Sequence, residues 1–429
     1  MRHAPIPDSL FADRRRDVMK VLPADSLAVF YSNDEMPRTA DQVFPFRQDS
    51  ALFALTGITQ PGTILVLYRG AKNKHSREMI FILPEDPHHT IWNGERLSSR
   101  RAIKISGIDT VHVTEEWDRI MTPIFHTVRS VYLNTPELPS TAEVLTQNER
   151  MTVKLKSVFP FHTFHSIQPL LARIFMKKHD AEIDLLKKAV QVTSLAFDHV
   201  LRGTRSGMKE YEIEALITYV LTAQGCRHAF QPIVASGPAA CILHYVENNR
   251  RVKKDELILL DFGAEYACMN ADMSRTIPAS GRFSKEQKKF YIAVLNVLRE
   301  TTKLMRPGIT LAELQKEAGR LIENELITTR LISKREVRRQ DPKSPIWKKY
   351  FMHGISHHLG YDVHDLSDRS APLKSGMVLT CEPGLYIPEL KLGIRLENDI
   401  LVTKNGPIDL MANVPIEPED IESAMNSKT

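Results

Sequence analysis

From Asp180 onward the chain runs one pattern twice, and this recurrence constrains the fold more than any single motif. The segment DAEIDLLKKAVQVTSLAFDHVLRG sets Ile183, Leu186, Val190, Phe197, Val200 and Leu201 on one helical face. Asp180 is placed to cap its start and Gly203 to end it. A second helix is predicted over about Lys209–Gln224, then strands in ELILLDFG (Glu256–Gly263) and DMSRTIP (Asp272–Pro278). The pattern restarts at SKEQKKFYIAVLNVLRETTKLM, which opens on a capping box of Ser284 and Gln287 and leaves through Arg306-Pro307-Gly308. SGMKEYEIEAL then aligns with PGITLAELQKE, matching Gly207 to Gly308, Met208 to Ile309, Glu212 to Glu313 and Ile213 to Leu314. A C-terminal domain of two related halves is the expectation.

Ahead of this region, up to about Phe175, buried strands are predicted at SLAVFYS (Ser26–Ser32), TILVLYR (Thr63–Arg69), EMIFILP (Glu78–Pro84) and SVYLNT (Ser130–Thr135). Intervening stretches such as Ser98–Ile105 suit crossover helices, which makes the N-terminal part α/β. A length of 429 residues fits two or three domains.

Several function classes find no support. The net charge of +5 is too mild to argue for nucleic acid. The densest basic run, Lys334–Lys349, reads as a solvated linker or helix face. No apolar run reaches the ~18 residues of a membrane span. Arg14-Arg15-Arg16 is followed by DVMKVLPADS rather than an apolar stretch, so no secretory signal is expected. Cys226, Cys241, Cys268 and Cys381 form no CxxC pair, and their spacing fits neither a zinc ribbon nor a disulfide scaffold. A reduced, cytoplasmic setting is the simplest expectation.

Chemistry concentrates in the two halves. Asp261 follows the apolar run LILL, and Asp272 heads the next strand. Glu382 follows Met377–Cys381, and Glu397 lies in the alternating segment GIRLENDI. Each alone fits a turn or a cap. Together, buried carboxylates repel one another unless cations intervene, and two divalent ions would neutralise all four. Oxygen ligands with one imidazole favour manganese, iron, cobalt or zinc. The stretch MHGISHHLGYDVHD (Met352–Asp365) holds His353, His357, His358 and His364 and can supply that imidazole. His353 and His357 share the spacing of HExxH zinc sites, but Gly-Ile-Ser between them brings no glutamate, and Gly354 disfavours a helix.

The ordered set ILHY (Ile242–Tyr245), LLDFG…ADMSRTIP (Leu259–Pro278), HGISHHLGYDVHD (His353–Asp365), CEPGLYI (Cys381–Ile387) and GIRLEND (Gly393–Asp399) resembles the Xaa-Pro aminopeptidase (aminopeptidase P) family. That family lies in the superfamily of methionine aminopeptidase, prolidase and creatinase. FRQDSALFALTG (Phe46–Gly57) and IWNGERL (Ile91–Leu97) extend the resemblance over nearly the whole chain. It implies an α/β creatinase-like N-terminal domain over residues 1–175 and an α+β pita-bread catalytic domain over 176–429. It also implies two divalent metal ions, usually Mn²⁺, with Co²⁺, Zn²⁺ or Fe²⁺ as alternatives. By motif, the ligands would be Asp261, Asp272, His357, Glu382 and Glu397, with Asp272 and Glu397 bridging. Ser274 stands where threonine is also common.

The same resemblance assigns His244 and His353 to the substrate side, His364 to the proline side, and Arg395 to orienting carboxylates. His358 matches no required position and is expected to be a surface or packing residue. Tyr386 is a lesser candidate for the shell around the metals. The implied reaction is attack of a metal-activated hydroxide on the carbonyl before a proline in second position, with Glu382 moving the proton. The implied partners are such peptides and further copies of the chain, as a dimer or tetramer. Prolidase, a dipeptide enzyme, shares the ligands, but FRQDS favours aminopeptidase P. A non-catalytic pita-bread binding protein is the rival from another class, and retention of all five ligand positions argues against it, as against metal-free creatinase.

Overall fold

Ser26–Tyr31 (β1) is buried at every position, so both its faces need cover. In the computed structural model, which describes residues 3–136 and 144–427, β1 sits inside a six-stranded mixed sheet. Its partners are Ile64–Tyr68 (β2), Glu78–Ile82 (β3), Val111–Val113 (β4), Ser130–Leu133 (β5) and Thr163–Ser166 (β6), in the order β4-β3-β2-β1-β5-β6. β1 runs antiparallel to β2 and parallel to β5. The crossover helix lies at Ser99–Ser106, capped by Ser98 and stopped by Gly107 at φ +69°. The four predicted strands are present. Sequence reading missed the edge strands β4 and β6, which are short and mostly half-exposed and carry no apolar run.

The described residues divide into two units, one within residues 4–174 and one from Phe175 onward together with His3. The second unit begins with helix Asp180–Gly203 (α1), which packs on Glu210–Ala223 (α2). The cap of α1 is His179 rather than Asp180, because Glu182 reaches back to accept the His179 N–H at 2.7 Å. Gly203 stays inside the helix. A Cβ there would come within 2.6 Å of Leu216, so the glycine serves close packing of α1 on α2.

Strands Ile233–Ser236 (β7), Leu257–Phe262 (β8) and Met273–Pro278 (β9) form one sheet in that order. The second half repeats the plan with Lys285–Leu304 (α3), Leu311–Thr328 (α4), Val378–Cys381 (β10), the hairpin Gly384–Ile387 (β11) and Leu392–Arg395 (β12), Asn398–Thr403 (β13) and Gly406–Asp409 (β14). The capping box of Ser284 and Gln287 opens α3 as expected.

The repeat extends to hydrogen bonds. Gly207 N–H donates to Val252 O at 2.8 Å, and Val252 N–H to Met208 O at 2.9 Å. Gly308 N–H donates to Leu373 O at 2.9 Å, and Leu373 N–H to Ile309 O at 2.8 Å. Both glycines have positive φ, +94° and +101°, which is why the same residue stands at both joins. In the second half, the segment ending at Leu359 takes the place of β7: Thr380 N–H donates to His357 O, and Leu359 N–H to Val378 O.

One core joins these helices to the inner faces of both sheets, with Phe197, Leu260, Val294, Leu379 and Ile400 all buried. Between β8 and β9 the chain makes a hairpin, Ala264–Tyr266 with Met269–Asn270, and at its base the two sides approach so closely that a Cβ on Gly263 would sit 1.7 Å from Ala271 O. Among the described residues no helix is long and apolar enough to cross a membrane. The four cysteines are free thiols. All seven cations of Lys334–Lys349 are exposed, on helix Lys334–Arg339 and the turns after it.

Candidate active site

Asp261 lies near the end of β8, opposite Ser274 of β9, and Asp272 lies just ahead of β9. Glu382 follows β10, as its position after an apolar run suggests. Glu397 departs from expectation. It sits in the break between β12 and β13 rather than inside a strand, because its N–H leaves the ladder to bond Ser274 O at 3.1 Å. These four and His357 line one cleft of about 790 Å³, together with His244, His353, His364 and Arg395. Every site residue singled out in the sequence is therefore brought to one place.

Asp272, His357 and Glu397 each offer a ligand atom, all within 4.8 Å of one another. His357 Nε2 is 3.4 Å from Asp272 Oδ2 and 3.7 Å from Glu382 Oε1. Its Nδ1 lies 3.1 Å from His358 O, and a carbonyl only accepts, so Nδ1 carries hydrogen and Nε2 is left to face the carboxylates. Thr380 Oγ1 accepts the His357 N–H at 3.1 Å and lies 3.5 Å from Glu382 Oε1.

The charges in this cleft are unfavourable as they stand. Burial, with Asp272 adding to it against the pull of Arg395, pushes Asp261 up to about 6. Burial, again with Asp272 adding against the pull of His357, pushes Glu382 up to about 7. Burial and the neighbouring Asp272, Glu382 and Asp261 push Glu397 well above the carboxylate range. Burial disfavours charge on His357 too, but its hydrogen bond to Asp272 and the charges of Asp272 and Glu382 prevail and raise it to about 9. Asp261 Oδ1 is buried with no hydrogen-bond partner. Crowded carboxylates, an unmatched buried oxygen and an imidazole nitrogen turned toward them fit divalent cations.

Arg395 ties the carboxylates together. Its Nη2 donates to Asp261 Oδ2 at 2.5 Å, Nε to Ser274 Oγ at 2.8 Å and Nη1 to the Tyr386 hydroxyl at 2.9 Å. Ser274 Oγ in turn donates to Glu397 Oε2 at 2.7 Å. The Tyr386 hydroxyl is 2.8 Å from His353 Nε2, while His353 Nδ1 faces Gly354 O at 2.8 Å. His353 is therefore a neutral ring accepting from Tyr386, and burial with the charge of Arg395 lowers it to about 4. His364 stacks edge-on against His357 with centroids 4.4 Å apart, and His244 is exposed on the cleft lining.

His358 is a packing residue. It is buried beside Leu379, and burial with the nearby Lys178 charge lowers it to about 3. Sequence reading missed Thr380 and Asp399 and gave Tyr386 little weight. Thr380 and Asp399 stand two residues from Glu382 and Glu397, and that period of two was the available signal. Asp399 Oδ2 accepts the Asp272 N–H at 3.2 Å.

Residues 184–404, more than half of the chain, match the model of metallopeptidase family M24. The chain belongs to this family. Residues 11–132 match the aminopeptidase P N-terminal domain. Among family relatives, a Xaa-Pro aminopeptidase of Haemophilus influenzae is 32% identical over 99% of this chain and 98% of its own length. A putative aminopeptidase P from Bacillus anthracis superposes with a TM-score of 0.91 at 34% identity, covering 98% of both chains. Zinc-substituted aminopeptidase P of Escherichia coli, in complex with product, gives 0.86 at 30% identity, covering 98% of this chain and 99% of that one. The two halves of the M24 region are thus the pita-bread fold, and the sheet domain before it is that of aminopeptidase P.

Proposed function

We propose that this chain is a metal-dependent Xaa-Pro aminopeptidase, which removes the first residue from peptides with proline in second position. The observation that carries this reading is the cleft in which four carboxylates and His357 meet, on a chain similar end to end to Xaa-Pro aminopeptidases. Asp261, Asp272, His357, Glu382 and Glu397 would hold two divalent ions. Bound there, the ions would supply Lewis acidity and a water acidic enough to react near neutral pH.

The protein's own groups divide the remaining work. Glu382 is the group to take the proton and hand it to the leaving proline nitrogen, since burial already raises its proton affinity. Arg395 holds Asp261 and, through Ser274, Glu397 in fixed orientation. His244 and His364, on the cleft lining, are placed to contact peptide. His353 can contact substrate once Tyr386 releases its Nε2.

Manganese is the proposed resident metal, with cobalt, zinc and iron as the competitors an oxygen-rich site accepts. We further propose a catalytic domain over 176–429, a partner domain over 1–175, a homodimer or homotetramer, and a cytoplasmic location. The deciding experiment strips the protein of metal, refills it with each ion, and assays a Xaa-Pro-Xaa tripeptide beside a Xaa-Pro dipeptide. Cleavage of the tripeptide supports the proposal. Cleavage of the dipeptide alone would make the chain a prolidase, and no cleavage with less than one equivalent of metal would make it a binding protein.

A further inference from the structure

The repeat that relates the two halves also relates two side chains outside the ligand set. Glu214 of α2 and Gln315 of α4 occupy equivalent places, one residue after the matched pair Ile213 and Leu314. Both are half-buried, and both reach across to the strand edge beside a carboxylate.

In the second half the reach is direct. Gln315 Oε1 accepts the Ile355 N–H at 2.6 Å, and its Nε2 donates to His353 O at 3.4 Å. Ile355 O, on the other side of the same residue, accepts the Glu382 N–H at 3.0 Å. Ile355 is therefore held on one side by Gln315 and holds Glu382 with the other. In the first half the reach goes through Asn248. Asn248 Nδ2 donates to Glu214 Oε2 and to Pro232 O, both at 2.9 Å, while its Oδ1 accepts the Val234 N–H at 2.9 Å. Pro232 and Val234 bracket Ile233, which stands opposite Asp261 in register. Each half thus uses the same helical position to fix the residue facing its first carboxylate.

We propose that Gln315 is a positioning residue, which sets the register of Ile355 and so places both Glu382 and His353 for the reaction. Glu214 with Asn248 is its counterpart for Asp261. The inference rests on the proposed peptidase reading. A neutral amide suits position 315 because it must accept from one backbone group and donate to its neighbour, which a carboxylate does only in part. A shift of the order of 1 Å in a reacting group is enough to lower a rate about a hundredfold.

The test compares Gln315→Met, which keeps the volume and removes both hydrogen bonds, with Gln315→Glu, which keeps the acceptor. Both are made in the full chain and loaded with Mn²⁺. For Gln315→Met, kcat on a Xaa-Pro-Xaa tripeptide falls about ten- to a hundredfold with KM within about threefold. Bound metal stays at the wild-type level, and amide exchange at Ile355 and Glu382 quickens. Gln315→Glu recovers most of kcat. The proposal is overturned by kcat within about twofold of wild type in Gln315→Met, by equal losses in both variants, or by a loss that follows loss of metal. Should the wild-type protein cleave no Xaa-Pro peptide, the peptidase reading falls. The exchange comparison then decides this proposal by itself, since unchanged exchange in Gln315→Met overturns it.

Discussion

Ser274 Oγ donates to Glu397 Oε2 at 2.7 Å across 123 residues of chain, and the same oxygen accepts Arg395 Nε. One hydroxyl in the first half therefore orients a cleft carboxylate in the second. Ser274→Ala removes a buried hydrogen bond to a charged group, a loss of about 1.5–3 kcal/mol. Metal affinity is expected to fall about ten- to a hundredfold. Ser274→Thr keeps the hydroxyl and stays near wild type. Calorimetric titration of the stripped protein checks both, and equal affinities for wild type and Ser274→Ala would refute the link.

Asp272 contributes to the upward push on Asp261, Glu382 and Glu397. Asp272→Asn is therefore expected to leave the metal-free protein as stable as wild type or more so, while abolishing its stabilisation by metal. For wild type that stabilisation reaches about 2.7 kcal/mol at a metal concentration of 100 Kd. Melting curves with and without chelator give the answer. A variant less stable than wild type in chelator contradicts the prediction.

The metal-free protein should also lose stability as pH rises from about 6.5 to about 9. His357 is raised from 6.5 to about 9, so over that window the folded chain keeps a proton the unfolded chain has released. Its contribution is complete below 6.5 and lost above 9. Glu382, raised to about 7, acts in the same sense at the lower end. The lowered histidines His228, His353, His358 and His364 act with the opposite sign, and only below 6.5. Urea unfolding at several pH values should show the slope in wild type and a shallower one in His357→Gln, where Glu382 and Glu397 still contribute.

Gly263→Ala is predicted to be severe. Its Cβ would meet Ala271 O at 1.7 Å, and a backbone oxygen has no rotamer in which to escape. The reversal that brings Asp272 back beside Asp261 would have to open. Thermal unfolding and metal content should fall together, and a variant that binds metal normally would show that the base of the hairpin tolerates the methyl.

Lys178 and Asp365 form a fully buried pair at 2.7 Å. Lys178→Met leaves a buried carboxylate unpaired, at a loss of about 3–5 kcal/mol, whereas Lys178→Met with Asp365→Leu is expected to recover much of it. Chemical denaturation of the single and double variants separates these outcomes.

Asp261 and Glu382 were legible because each follows an apolar run at a strand end, and the repeat was legible because Gly207 and Gly308 answer the same backbone demand. What stayed hidden was contact across long stretches of chain. Glu397 read as part of a strand because its neighbours alternate, and nothing local announces that its N–H pairs with Ser274. His358 was expected at the surface or in packing because it matches no required position, and packing is what it does, although only the bridge to Leu379 decides between the two. Gln315 looked like any polar position on an amphipathic helix, since its role depends on Ile355, 40 residues on.

The division of the five cleft groups between two halves has a consequence for a chain still being made on the ribosome. When Asp261 and Asp272 have emerged, His357, Glu382 and Glu397 have not yet been translated. The five groups are all present only after Glu397 has appeared, late in the second half. A fragment cut short by a stalled ribosome between the halves therefore holds two of the five groups, and the crowded cleft forms only once both halves have been made.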